Sequence, residues 1–187
     1  MLSNTEWLFL AAVGLIALVA MVERPTSLPE VVEKVDLEHY VGRWYAIAHI
    51  PTWFERGCKS GTTATYTLLP DGTIEVVNEC FNARGEKKVA RGRAWVPNPK
   101  EPGKLRVSFF KFLGHWLFPG NYWILALGPD YSWAVVGEPK RKYGWILSRS
   151  PTLPEPTLEE IRSILKRNGY EWEKFVPIDQ SPNIESG

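Results

Sequence analysis

The chain has 187 residues, and once an apolar N-terminal stretch is set aside the remainder suits one domain with a sizeable core and is too short for two ordinary ones. Lys plus Arg number 22 against 21 for Asp plus Glu, and the basic residues are scattered instead of clustered, which argues against nucleic acid as a partner. Nine Trp, eight Phe and seven Tyr form a heavy aromatic load, suited to strands and to the walls of an apolar pocket, though also to a thick core.

In chain order, Trp7 to Val22 is an unbroken apolar run bounded by Glu6 and by Glu23-Arg24, so residues 1–24 read as a targeting segment. It is either a cleaved signal peptide or an uncleaved membrane anchor. No Lys or Arg precedes it, and a cleavage site after Ala20 is poor with Leu18 at the third position back. The only cysteines, Cys58 and Cys80, lie far from it, which excludes a lipoprotein signal. Either alternative places the domain outside the cytoplasm, in the periplasm or at a membrane, with the outer membrane one option. Residues 25–36 read as a linker, 37–178 as the domain and 179–187 as a flexible tail.

Eight β-rich runs follow, at about 43–49, 61–69, 73–81, 88–96, 104–111, 121–127, 132–137 and 143–149. Their spacing predicts an all-β fold, an eight-stranded up-and-down antiparallel barrel. Leu69-Pro70-Asp71-Gly72-Thr73 is a turn between two alternating stretches. Glu75 and Glu79 must face water, so the period of two turns Ile74, Val76, Asn78 and Cys80 inward, and pairing across the turn brings Ala64, Tyr66 and Leu68 to the same face. Arg91 and Arg93 likewise leave Ala90, Gly92, Ala94 and Val96 inside. Small inward residues leave room for a guest, where a filled core would want larger ones.

One C-terminal α-helix comes next and should pack on the barrel wall. Thr157 and Glu160 make a capping box, Leu158, Ile161 and Leu165 share a face, and Asn168-Gly169 is the stop. A short strand near 174–178 should return along the sheet edge.

Gly42-Arg43-Trp44 opens the first strand, Asp130-Tyr131 stands between the sixth and seventh, and Arg149 ends the eighth. In this order and spacing the three elements resemble the signature of the lipocalins. The stretches Ala64-Thr-Tyr-Thr-Leu, Val107-Ser-Phe-Phe and Trp145-Ile-Leu-Ser-Arg-Ser-Pro-Thr are similar to the bacterial lipocalin and apolipoprotein D branch, over about residues 35–178. The resemblance implies a cup for a hydrophobic small molecule or lipid, such as a fatty acid or lysophospholipid, held for storage, transport or membrane repair. Gly42, Trp44, Asp130, Tyr131 and Arg149 are then structural. An Arg laid over an indole seals the floor through a cation–π contact while its other donors satisfy carbonyls.

By alternation the candidate lining is Ala46, Ala48, Ala64, Tyr66, Val76, Ala94, Val107, Phe109 and Trp145, with Tyr122, Ile124 and Trp133 provisional because their strands are uniformly apolar. Strand directions bring Cys58 and Cys80 to one rim, which predicts a disulfide, two buried thiols being the alternative. The same directions put Trp53 and Phe54 in one open-end loop and Phe112, Trp116 and Phe118 in another, forming either a lid or a membrane contact. No catalytic constellation, metal-ligand spacing or cofactor motif is evident: His39, His49 and His115 are far apart and phosphate-loop and serine-hydrolase patterns are missing. The sequence therefore predicts a binding protein that is not an enzyme. A tetrapyrrole carrier and a lipocalin-fold enzyme are the alternatives, and no oligomeric state is assigned.

Overall fold

The computed structural model describes residues 27–184, so the targeting segment predicted at 1–24 lies outside the described residues. Barrel strands β1 (Gly42–His49), β2 (Ser60–Leu68), β3 (Ile74–Phe81), β4 (Lys87–Trp95) and β5 (Lys104–Ser108) come first, followed by the small hairpin β6 (Phe110–Phe112) and β7 (His115–Leu117). The wall resumes with β8 (Gly120–Leu127), β9 (Trp133–Gly137) and β10 (Gly144–Ser148). Each barrel strand pairs antiparallel with the next, and β10 pairs back onto β1, so the eight strands close into a barrel.

The register carries the predicted alternation. Ala64 stands opposite Asn78, Tyr66 opposite Val76, and Ile74 opposite both Leu68 and Ala94. With Trp44, Ala46, Leu105, Ile124, Val136 and Leu147 these apolar residues form the group inside the barrel. A second layer lies outside. The helix α2 (Glu155–Arg167) sets Ile161, Ile164 and Leu165 against Trp123, Leu125, Trp133, Val135 and Ile146 on the outer wall. Burial of each such side chain contributes about 2 kcal/mol.

Several elements differ from expectation for local reasons. The fifth run, predicted over 104–111, stops at Ser108: this buried hydroxyl donates to the Leu117 carbonyl and accepts from Phe110 N–H, and so turns the chain. Phe110–Phe112 then pairs with His115–Leu117 around Leu113 and Gly114, both at positive φ (47° and 84°), as a two-residue hairpin turn requires. Because β5 pairs with β4 only from Arg93 to Trp95, no strand among the described residues pairs with the upper part of β4 on that side, and the wall is low there. The helix begins at Glu155 without a side-chain cap, not at Thr157, since Pro156 fits the first turn, where no N–H is needed. It ends as predicted: Tyr170 N–H donates to the Leu165 carbonyl and Gly169 N–H to that of Lys166.

The returning strand β11 is only Val176–Pro177, after a 3-10 turn at Trp172–Lys174. Residues 179–184, expected as tail, are held down. Gln180 is buried and its Nε2 donates to the carbonyls of Ala46 (2.7 Å) and Thr62 (2.9 Å), both at register shifts where the ladder leaves an acceptor over. The stretch 27–36, expected as linker, lies on the barrel: Val32 N–H donates to Ile124 O, and Val32 and Val35 pack on the inner group. Among the described residues no helix is long and apolar enough to cross a membrane.

Candidate functional site

The floor of the barrel is built around α1 (Leu37–Tyr40), whose N-terminus is capped by the Asp36 carboxylate. So short a helix leaves its last carbonyls unmatched. Arg149 collects them: Nη2 donates to the carbonyls of His39 (2.8 Å), Tyr40 (3.1 Å) and Val41 (3.0 Å), and Nη1 to that of Arg43 (2.9 Å). Nε reaches the Tyr131 carbonyl at 3.3 Å. The guanidinium carbon lies 3.7 Å from the centre of the Trp44 indole, whose own N–H donates to Tyr40 O. Gly42 has φ +100°, and a Cβ there would stand 3.3 Å from Arg149 Nη1, so both backbone and space ask for glycine. Asp130 and Tyr131 take left-handed conformations (φ 51° and 55°) in the turn from β8 to β9, and the Tyr131 hydroxyl accepts from Asp36 N–H at 2.9 Å.

Above this floor Ala46, Ala64, Tyr66, Val76 and Ala94 are buried in the inner group, and Ile124 joins them. Val107, Tyr122 and Trp145 pack on the same group but keep part of their surface accessible. Two of the predicted lining residues lie elsewhere. Ala48 packs outside with the helix, because a bulge between Ala46 and Ala48 inverts the alternation, and Trp133 also belongs to the outer group. Phe109 is about half exposed (46%) and lies against Gly92 at the low part of the wall.

Four inner residues give the cup polarity, of which sequence reading missed Tyr40. Tyr40 rises from the floor helix, and its hydroxyl lies 2.7 Å from that of Tyr122, which is 3.0 Å from that of Tyr66. Burial pushes the Tyr40 and Tyr122 hydroxyls well above the ordinary phenol value and that of Tyr66 up to about 12. Asn78 faces inward with its Oδ1 buried.

At the mouth, Glu55 ties the loop of residues 50–59 to the wall. Its carboxylate accepts from Thr52 Oγ1 (2.6 Å) and Trp145 Nε1 (3.1 Å) and meets His49 Nδ1 at 3.1 Å. Burial pushes its pKa up, but these three partners outweigh burial and hold it below the ordinary carboxylate value. Nothing in the loop's composition announced this residue, since its partners are remote in sequence. The Cys58–Cys80 disulfide fastens the same loop to β3, with Cα atoms 5.5 Å apart. With both sulfurs bonded, neither serves as a thiolate nucleophile.

The aromatic side chains predicted at the rim divide. Trp53 (72% exposed) and Phe54 project at the open end, where Phe54 meets Tyr143. Phe112 and Phe118 are exposed on and beside the β6–β7 hairpin, with Leu113 at its tip. Trp116 is not at the rim. Since β5 ends low, the hairpin lies over the outer wall, and Trp116 lines a cleft there with Arg93, Lys111 and, from the β2–β3 turn at the closed end, Asp71 and Thr73.

Comparison with known proteins agrees with this geometry. A family model described as Lipocalin-like domain matches residues 35–180. Temperature-induced lipocalin-1 of Arabidopsis thaliana is 40% identical over 155 residues, covering 81% of this chain and 83% of the plant protein. The outer membrane lipoprotein Blc of Escherichia coli is 37% identical over 80% of this chain and 82% of its own. Apolipoprotein D of Mus musculus is 37% identical over 82% and 81% respectively. Among solved structures, insecticyanin from the tobacco hornworm Manduca sexta superposes with a TM-score of 0.66 at 27% identity, covering 84% of this chain and 86% of that one. An Arg-sealed floor, a closed eight-stranded wall and these relatives lead to one conclusion: the chain belongs to the lipocalin family.

Proposed function

We propose that the barrel is a cup for a hydrophobic small molecule, in the first instance a fatty acid or lysophospholipid, which the protein stores or transports at a membrane outside the cytoplasm without acting as an enzyme. The observation that carries this reading is the state of the inner wall. Val107, Tyr122 and Trp145 pack on the inner group yet keep accessible surface, on a wall that also carries small residues such as Ala46, Ala64 and Ala94. Enclosed apolar surface with a few polar groups is what a lipid pocket requires. The disulfide fits an oxidising compartment, as do relatives named as an outer membrane lipoprotein and an apolipoprotein.

Membrane contact accounts for the exposed aromatics. Trp53, Phe54, Phe112 and Phe118 face water on loops, where so much apolar surface is unfavourable unless another phase covers it. Lys111 lies apart from Trp53 and Phe54, in the outer-wall cleft over Trp116. The low part of the wall beside the hairpin offers a lipid a short path between cup and bilayer.

Delipidated protein titrated with fatty acids and lysophospholipids should show saturable change in tryptophan fluorescence with one molecule bound per barrel. No binding of either class would overturn the reading. Purified protein with visible absorption would transfer the cup to a tetrapyrrole. For the membrane, the double substitution Phe112→Ser, Phe118→Ser should weaken vesicle binding at least tenfold, since each buried aromatic contributes about 1.5–3 kcal/mol; unchanged binding would remove the membrane from the account.

A further inference from the structure

Strand directions bring three segments to one side of the mouth. β1 rises from the floor to His49, and Trp145 stands opposite both His49 and Val136, so the β9–β10 turn at 138–143 lies at the height of the 50–59 loop. The outer helix α2 also ends there. Three residues past it, the Tyr170 hydroxyl accepts from Glu138 N–H at 2.8 Å, and Arg141 Nε donates to the Asn168 carbonyl at 2.6 Å. Lys140 and Lys142 of the turn are thus neighbours of Lys166 and Arg167 in the last turn of the helix, and all four are exposed. None of them has an ion pair among the described residues.

The acidic groups nearby leave a positive surplus. Glu138 is buried, its carboxylate turned back to accept from the backbone N–H groups of Lys140 (2.9 Å) and Lys142 (2.5 Å). Glu55 is taken up by Thr52, Trp145 and His49, and Glu171 is met by Lys174. Glu30 and Glu173 are exposed, but Arg56 and Arg141 stand with the four on the basic side. At the closed end, by contrast, Asp71 meets Arg93, Glu101 meets Lys104 and Asp36 meets His39.

Two further observations fall on the same face. Phe54, with Trp53 against it, meets Tyr143 beside Lys142, so the exposed aromatics of the mouth adjoin the basic turn. Arg141 Nη2 donates to the Ser27 carbonyl at 2.7 Å, which holds the first described residue at this end. Only four residues separate Ser27 from Val22, the last of the apolar run. A run seated in a bilayer therefore keeps Ser27 within about 18 Å of it, the reach of a fully extended chain. Basic side chains interleaved with aromatic ones suit a bilayer with acidic headgroups, where rings sit at headgroup level and cations meet phosphates. An acidic protein would match the charge but gives the apolar run no phase to enter.

We infer that the open end of the barrel docks on an anionic bilayer, with the 138–143 turn and the end of the helix on acidic headgroups and Trp53 and Phe54 between them. The inference rests on the membrane reading above and names the face and the lipid class. The mouth then opens toward the lipid that fills the cup.

The test follows hydrogen exchange of the full chain on vesicles of phosphatidylcholine alone and of phosphatidylcholine mixed with phosphatidylglycerol, a readout that serves whether or not the apolar run is inserted. Exchange over 52–57 and 138–143 should be at least about fivefold slower on the mixed vesicles, the worth of one basic side chain at an anionic surface. High salt should remove the difference. So should the triple substitution Lys140→Gln, Lys142→Gln, Lys166→Gln, at exposed positions where an unchanged Tm confirms folding, whereas the same three positions changed to Arg should keep it. Slowing confined to the closed end, at 69–73 and 98–103, or a difference that survives the Gln substitutions, overturns the docking face. Equal slowing on both vesicles overturns the anionic preference and leaves the membrane reading standing on its aromatics. No slowing on either vesicle means that the membrane reading itself has failed and that the face belongs to a protein partner.

Discussion

Arg149 presents its N–H donors in a planar fork, and all three of its nitrogens bond carbonyls of the floor. Arg149→Ala leaves several carbonyls and one indole face unmatched at once, so stability should fall by about 3 kcal/mol, read from chemical denaturation. Ligand affinity should fall only as folding falls; unchanged stability with lost binding would contradict a structural role. The tyrosines give a second check. Burial holds Tyr40, Tyr66, Tyr122 and Tyr170 protonated beyond the ordinary range, so in ultraviolet titration four of the seven tyrosines should resist ionisation until about pH 11 or above. Their folded values are raised, so their contribution is full below the unfolded value near 10 and is lost as pH rises through the folded value. All seven ionising together near the ordinary value, in protein still folded, would contradict that packing. At this scale the sequence was partly legible. Gly42, Trp44 and Arg149 form a motif that can be read in one dimension, whereas Tyr40 and Glu55 gain their roles from partners on distant strands.

Among the elements, alternation located the strands well because a one-sided apolar face enforces a period of two. It failed where that period is interrupted. The bulge after Ala46 sends Ala48 to the helix side, and Ser108 ends β5 early by bonding backbone groups of the next turn. Neither feature leaves a mark that composition can show. The loop over the mouth belongs to this scale too, since Glu55 joins it to β1 and β10. The Glu55 pKa is lowered, so its contribution is present above the ordinary carboxylate value and is lost as pH falls through the folded value. Hydrogen exchange of residues 52–56 should therefore accelerate below about pH 4. Glu55→Gln should exchange fast already at neutral pH, with no acid step. An acid step that persists in the variant would assign the loop's closure to another group.

For the whole molecule, the closed wall, the outer helix and the disulfide follow from patterns that were legible: eight runs, one amphipathic helix and two cysteines brought to one rim by strand direction. The hairpin over the outer wall was not, because it arises from where β5 ends; of the polar patch, Tyr66, Tyr122 and Asn78 were legible as inward, and Tyr40, on the short floor helix, was not. The central claim is that this barrel encloses a lipid. Native mass spectrometry of the protein purified from an expressing host, with extraction and identification of the bound molecule, tests it most directly. The account predicts one lipid per barrel, released on unfolding and replaced by added fatty acid. A barrel that arrives empty and still takes up neither fatty acid nor lysophospholipid after delipidation would contradict it.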